Sequence, residues 1–290
     1  MKALIIITAF NDPRIERTIK SLLDQEASID YSILIADGGS RKDLVEMYKR
    51  MSSLAKKEHD VEVLFKVFPG SVAETRDAAL RFVLEEMYER PDVICFIDTD
   101  EVAPKSWLNE ITRPIKSGNY DFAFGPTKPV LEGANFVTRY VYFDEERMYK
   151  MVKDGFIFYG AMGNSAWSSN LFITLREKYG YYINTSLTMG GEDYELTLRA
   201  LYEGFRGTFN ENAWVWHDQR NINTLRKLLR KKWRYLVGAA KAYDTVPKTN
   251  SFNVTKLSVL KYFKYGIHLL DLLIILLSIN AYALKVITSR

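Results

Sequence analysis

The chain has 290 residues, 47% hydrophobic and 13% aromatic, with a formal charge of +4. That is enough apolar material for one large α/β domain, with or without an appendage. A single cysteine, Cys95, excludes a disulfide framework. The positive charge is unevenly placed: from Arg226 to Lys264 eleven Lys or Arg residues stand against one acid, Asp244.

The apolar run at the N-terminus is too short for a signal peptide and meets the turn signal Asn11-Asp12-Pro13, so residues 3–10 read as a first strand. Residues 14–24 read as a helix with Ile15, Ile19, Leu22 and Leu23 on one face. A strand at 31–36, a helix at 42–53, a strand at 61–68 and a helix at 72–90 follow. The strand at 93–97 is apolar throughout, as suits burial on both faces of a parallel sheet. This order, with short connections, predicts a parallel sheet with right-handed crossovers. Beyond it the expected elements are a helix at 107–116, a strand at 122–126, an aromatic-rich helix at 136–153, a small-residue loop at 160–165, a helix at 194–203 and a short strand at 214–217.

The central strand runs into Asp98-Thr99-Asp100. Carboxylates at the end of such a strand enter the crevice where open α/β sheets bind ligands, and they repel unless a cation joins them. Mg²⁺ or Mn²⁺ would suit, since both prefer oxygen ligands and often share them with substrate phosphates. An acidic loop without an ion is the alternative.

The motifs in sequence resemble those of family-2 glycosyltransferases with the GT-A fold. Thr8-Ala9-Phe10-Asn11 with Ser21-Leu22-Leu23-Asp24-Gln25 is similar to the opening strand, loop and helix of that family. Ile35-Ala36-Asp37-Gly38-Gly39-Ser40 resembles its DxGS, and Glu74-Thr75-Arg76-Asp77-Ala78-Ala79 its ARNxG, with Asp77 in place of asparagine. Asp98-Thr99-Asp100 matches the DxD and Gly191-Glu192-Asp193 the acidic ED motif. More distantly the chain resembles cellulose-synthase-like enzymes, but Leu229-Arg230-Lys231-Lys232-Trp233 lacks the glutamine of their QxxRW, which favours transfer of a single sugar. Phe10-Asn11-Asp12 also replaces YNE, and Ser168-Ser169-Asn170 replaces paired arginines.

The resemblance implies a metal-dependent, inverting transfer from a nucleotide-sugar donor. Thr8, Ala9, Asn11, Asp37, Arg76 and Asp98 would hold the nucleotide, Asp98 and Asp100 the metal, and Gly163, Asn164 and Trp233 the acceptor. His217, at a strand end, is either a further metal ligand or a satisfied polar residue. Asp193 would be the general base, its carboxyl raised by burial and by Glu192; an acid stabilised by the helix dipole is the alternative. A nucleotidyltransferase would carry a glycine-rich basic loop after strand one, which Thr8-Ala9-Phe10-Asn11 is not. A non-enzymatic nucleic-acid binder would leave both acidic motifs without a role, so no nucleic-acid partner is expected.

Three segments are expected: a catalytic domain at 1–218, a basic amphipathic interfacial helix within 219–250, and a membrane-anchoring segment at 251–290. In the last, residues 262–287 approach the roughly 20 apolar residues of a spanning helix, but Asp271 is expensive in hydrocarbon unless paired. Basic residues before this segment place the catalytic part on the cytoplasmic face. Membrane-attached relatives suggest GDP-mannose as donor and a lipid-linked acceptor, with a polyprenyl-phosphate acceptor or a UDP-sugar donor as alternatives.

Overall fold

The structure, a computed structural model, describes residues 1–154, 160–245 and Asp271, without the side chains of residues 56–58. Its first half alternates as expected: β1 (Lys2–Ala9), α1 (Ile15–Leu23), β2 (Asp30–Asp37), α2 (Lys42–Glu58), β3 (Glu62–Val67), α3 (Val72–Arg81) and β4 (Val93–Asp98). There follow β5 (Glu101–Val102), α4 (Trp107–Lys116), β6 (Phe122–Phe124), β7 (Thr127–Pro129), α5 (Phe136–Lys153), β8 (Asn164–Ser168), α6 (Ser169–Tyr179), α7 (Glu192–Tyr202), β9 (Gly207–Phe209), β10 (Val215–His217) and α8 (Leu225–Thr245).

A seven-stranded sheet has the order β3-β2-β1-β4-β8-β6-β9, and only β8 runs against its neighbours. Successive side chains on a strand face opposite ways. Ile5, Ile7, Cys95 and Ile97 therefore pack on α1, α2 and α4, while Leu4, Ile6, Ile94 and Phe96 pack on α3, α6 and α7. Burial on both faces explains the unbroken apolar runs. A small second sheet, β5-β10-β7, lies beyond the end of β4.

Two expectations need correction. The helix expected at 72–90 stops as α3 at Arg81 and continues only as a π-helical turn, Phe82–Glu86; its start is fixed by a capping box between Ser71 and Glu74. The loop expected at 160–165 runs into β8, at the centre of the sheet. Asn164-Ser165-Ala166-Trp167-Ser168 has no apolar run to announce a strand, yet its polar groups are paired within the fold: Ser165 Oγ donates to the Met162 carbonyl, and Trp167 Nε1 to Ser165 Oγ. Trp167 also stacks on Phe122 at 4.7 Å, worth about 0.5–1.5 kcal/mol beyond its buried area.

Helix α8 packs on α5 and α7. Leu228, Gly238 and Ala242 are buried, and a Cβ on Gly191 would lie 2.5 Å from the Gly238 carbonyl. Its cations divide. Lys231 and Lys232 turn inward to Glu145 and Asp144, whereas Arg226, Lys227, Arg230, Arg234 and Lys241 are exposed. None of the described helices is long and apolar enough to cross a membrane. The segment expected to anchor, 262–287, lies outside the described residues apart from Asp271.

Candidate active site

The parallel pairing of β1 with β2 sets Ala9 opposite Asp37, and the loops that follow are tied together. Gly38 N–H donates to the Ala9 carbonyl at 2.8 Å. Asn11 adopts a left-handed φ of 53°, tolerated by asparagine. Its N–H donates to Ser40 Oγ and its Oδ1 accepts from Arg41 N–H. The Asp37 carboxylate, expected to hold a nucleobase, is fully buried and accepts from the N–H groups of Gly39 and Ser40. It shapes the turn, the ordinary work of Asp before glycine. Phe10, 60% exposed, lines a cavity of about 460 Å³ with Asn11, Asp12, Arg14, Asp218, Arg220 and Asn221. An exposed ring at that mouth is a stacking surface the motif reading passed over.

The two aspartates of the DxD belong to different networks. Asp98 Oδ1 pairs with Arg76 Nη2 at 3.0 Å, and Arg76 Nη1 continues to Glu192 Oε1 at 2.9 Å. Arg76 Nε also faces Thr8 Oγ1 at 3.4 Å. Arg76 is thus buried and committed to protein partners, so it orients carboxylates instead of reaching a nucleotide. Asp98 remains open to the crevice, its side chain 40% exposed. Gly163, expected at the acceptor, lies against this carboxylate, where a Cβ would collide with it.

Asp100 faces the other way. Its Oδ1 lies 3.6 Å from His217 Nε2 and its Oδ2 3.5 Å from Arg14 Nη2. His217 Nδ1 lies 3.5 Å from Glu145 Oε2, and Glu145 meets Lys231 of α8 at 3.5 Å. Gln219 completes the cluster, bonding Glu145 and Lys231 and lying 3.1 Å from His217 Nδ1. Burial raises the Asp100 carboxyl, but His217, Arg14 and Lys231 prevail and hold it below its ordinary value. Burial lowers the imidazole, but Asp100 and Glu145 prevail and lift it well above 6.5. Between the networks Glu101 is buried and accepts from Asp98 N–H at 3.0 Å. Burial, with Asp98 and Asp100 adding to it against His217, pushes its carboxyl up to about 8.

On α7, Glu192 is buried and paired with Arg76, while Asp193 is half-buried. Burial, then the charge of Asp193, pushes the Glu192 carboxyl up to about 6 against the pull of Arg76. The raised carboxyl, expected on Asp193, is found on its neighbour Glu192. Asp77 ties α3 to the chain before α7, accepting from Tyr182 and Ile183 N–H at 3.0 Å each.

Two residues expected at the acceptor are placed elsewhere. Asn164 is fully buried; its amide accepts from Trp107 Nε1 and donates to the carbonyls of Pro126 and Ala213. It holds the frame. On α8 the residue turned to the site is Lys231, with the ring of Tyr235, one turn on, centred 5.5 Å from its ammonium. Trp233, two positions from each, lies on a different side of the helix. The partners Arg14, Glu145, Lys231 and Gln219 were missed by sequence reasoning. Only the asymmetry of charge in α8 hinted at one of them.

Among the described residues no group of three or more His, Cys, Asp or Glu is arranged to hold a metal ion. The donors fit a different kind of site. Asp100 and His217 are neighbouring groups of the types that bind such ions, and would do so once the imidazole gave up the proton that Asp100 and Glu145 favour. Mg²⁺ is commonly bound by one or two carboxylates, with substrate phosphates and water completing the shell.

With this geometry in view, the comparisons with known proteins are consistent. The family model described as glycosyl transferase family 2 matches residues 4–176, and that of glycosyl transferase family group 2 matches 93–288. The chain belongs to glycosyl transferase family 2 and is a nucleotide-sugar-dependent glycosyltransferase. It is similar to a mannosyltransferase from Pyrobaculum calidifontis solved with GDP-Man and Mn²⁺, at 15% identity and a TM-score of 0.65, over 98% of this chain and 74% of that one. It is similar to residues 1–349 of S. aureus TarS with UDP-GlcNAc, at 13% identity and a TM-score of 0.55, over 92% and 74%. Of a longer TarS chain it spans 44%, at 16% identity and a TM-score of 0.52 over 92% of this chain. At these identities the likeness shows the α/β GT-A fold. No curated protein matches the sequence.

Proposed function

We propose that the protein is a divalent-metal-dependent, inverting glycosyltransferase. It moves one mannose from GDP-mannose to a lipid-linked saccharide at the cytoplasmic face of a membrane. The observation that carries the catalytic part is the placement of Asp100 between His217 and Arg14, two residues from an open Asp98.

Asp100 and His217, with Asp98 beside them, would hold Mn²⁺ or Mg²⁺. The ion supplies Lewis-acid charge to a departing diphosphate without a proton transfer. Arg76 keeps Asp98 and Glu192 apart and fixed. Phe10 and Asn11 line the mouth where a nucleobase would stack, with the turn built on Asp37 joined to Asn11 through Ser40 and Thr8 and Ala9 behind it. Asp193, half-buried beside Glu192 at the start of α7, takes the proton from an attacking hydroxyl. A lipid phosphate is already anionic and needs no base, so the ED motif favours a sugar hydroxyl. Gly163 keeps the space beside Asp98 clear.

Support for GDP-mannose comes from the fold likeness to the mannosyltransferase bound to GDP-Man, which exceeds that to TarS. Support for a membrane surface comes from the outward basic stripe of α8, Arg226, Arg230 and Arg234, which suits anionic headgroups. Thermal shifts with GDP, UDP and CDP, each with Mn²⁺ or EDTA, test the reading. A ligand at 100 times its Kd stabilises by about 2.7 kcal/mol. GDP with Mn²⁺ is expected to give the largest shift. A larger shift with UDP overturns the donor, and equal shifts in EDTA overturn the metal.

A further inference from the structure

Helix α5 carries two polar stripes. Tyr142, Glu145 and Tyr149, spaced three and four apart, face the small sheet: Tyr142 Oη meets Gln219 N–H at 3.0 Å, Glu145 meets His217, and Tyr149 Oη meets Thr127 Oγ1 at 3.2 Å. Tyr140, Asp144 and Arg147, four and three apart, form the other. This second stripe receives Asp271, from a region more than a hundred residues further along the chain. Arg147 Nη1 pairs with Asp271 Oδ2 at 2.7 Å and Nη2 with Oδ1 at 2.8 Å, while Tyr140 Oη donates to Oδ1 at 2.6 Å. Arg147, Tyr140 and Asp271 are all within 1% of complete burial.

We infer that Asp271 is a positioning residue for the active site: its bidentate pair with Arg147 fixes α5, and α5 fixes His217 through Glu145. A fork-to-carboxylate pair specifies direction as well as distance. Without water to compete, the pair holds one rotation and one height of the helix. Asp144 and Lys232 extend the outer stripe to α8, next to the Glu145–Lys231 contact of the inner one. The two stripes are therefore clamped by the same two helices. A buried carboxylate is costly unless paired; Asp271 is paired with Arg147 and Tyr140. The effect on turnover rests on reading His217 as a metal ligand, whereas the effect on the imidazole does not.

The test uses full-length protein with ¹⁵N-labelled histidine, in which His59 serves as the internal control. Glu145→Gln removes the direct contact to His217. Asp271→Asn removes the outer charge, and Tyr140→Phe removes one hydrogen bond while keeping the volume. All three are expected to move the His217 ring resonances in the same direction and leave those of His59 in place. A protein whose Asp271→Asn variant fails to fold is read through Tyr140→Phe. Affinity for GDP in the presence of Mn²⁺ should fall about 10- to 100-fold in Glu145→Gln and about 3- to 30-fold in Asp271→Asn. The double variant should lose no more than Glu145→Gln alone. His217 resonances that stay in place in Asp271→Asn and Tyr140→Phe, or that ignore Glu145→Gln, overturn the inference. Resonances that move while Mn²⁺ has no effect on nucleotide binding even in the parent uphold it and overturn the metal reading instead.

Discussion

Asp98 and Asp100 are two residues apart and belong to different side-chain networks. Asp98 looks through Arg76 of α3 to Glu192 at the start of α7. Asp100 looks through His217 of β10 to Glu145 of α5 and Lys231 of α8. In the first network one buried arginine separates two carboxylates. In the second, carboxylates and cations alternate. The difference shows how one short motif divides its labour: a strand end delivers both acids, but their partners differ, one buried arginine for Asp98 and an imidazole with a guanidinium for Asp100.

The largest expected effect tests whether the second network serves the metal. Asp100→Asn should lower turnover by about 10⁴-fold or more, the worth of several kcal/mol of charge stabilisation. Nucleotide affinity should also lose its dependence on Mn²⁺. A variant that keeps its Mn²⁺ dependence would move the metal to Asp98. Next, Asp193→Asn should lower kcat about 10²- to 10⁴-fold, as for a positioned base, with nucleotide affinity kept. Lost nucleotide affinity with an unchanged kcat would make Asp193 a binding residue. A product that retains the donor's anomeric configuration would overturn inversion.

The first half of the fold was legible because burial on both faces writes β1, β2 and β4 as apolar runs that nothing else explains. The acids of the site were legible as residue types in order. Their partners were not. Glu145 on an aromatic-rich helix reads as a solvated acid, and Lys231 contacts it across a separation of 86 residues. The resemblance to QxxRW selected Trp233 in α8, whereas the α8 side chain that reaches Glu145 is Lys231. The Asp-Gly-Gly turn allowed both a ligand and a turn-former at Asp37, and the loop geometry shows the turn-former. Asp271 was legible as a charge in need of a partner, but its partner Arg147 was not.

A third test concerns the outer surface of the second network. Lys231 and Lys232 are engaged inward, so among the described residues of α8 the outward stripe is what headgroups would meet. Replacing Arg226, Arg230 and Arg234 with glutamine should cost about 3 kcal/mol of attraction to anionic vesicles at low salt, at about 1 kcal/mol per residue. Little difference should remain at high salt, where screening already removes it. Turnover on a water-soluble acceptor should be unchanged. Equal flotation of parent and variant at low salt would remove this stripe from the membrane reading.

The smallest effect lies between the two networks, at Glu101. Its folded carboxyl stands at about 8, against 4.5 for an unperturbed glutamate. Between those values the folded chain holds a proton that the unfolded chain has released. Stability changes with pH as the protons bound unfolded minus those bound folded, so it falls as pH rises through this window, by up to about 1.4 kcal/mol per unit. Glu192, raised to about 6, adds a slope of the same sign lower in the range. His217, raised well above 6.5, adds one of the same sign higher up. The test is therefore the difference between parent and Glu101→Gln, measured by denaturant unfolding in EDTA from pH 6 to 8. Glutamine keeps an oxygen to accept from Asp98 N–H and cannot ionise. The variant should lose less stability than the parent over that range, and the gap should widen toward pH 8. Parallel curves would mean that Glu101 is already ionised in the fold, and the two aspartates would then have to share their crevice with a third negative charge.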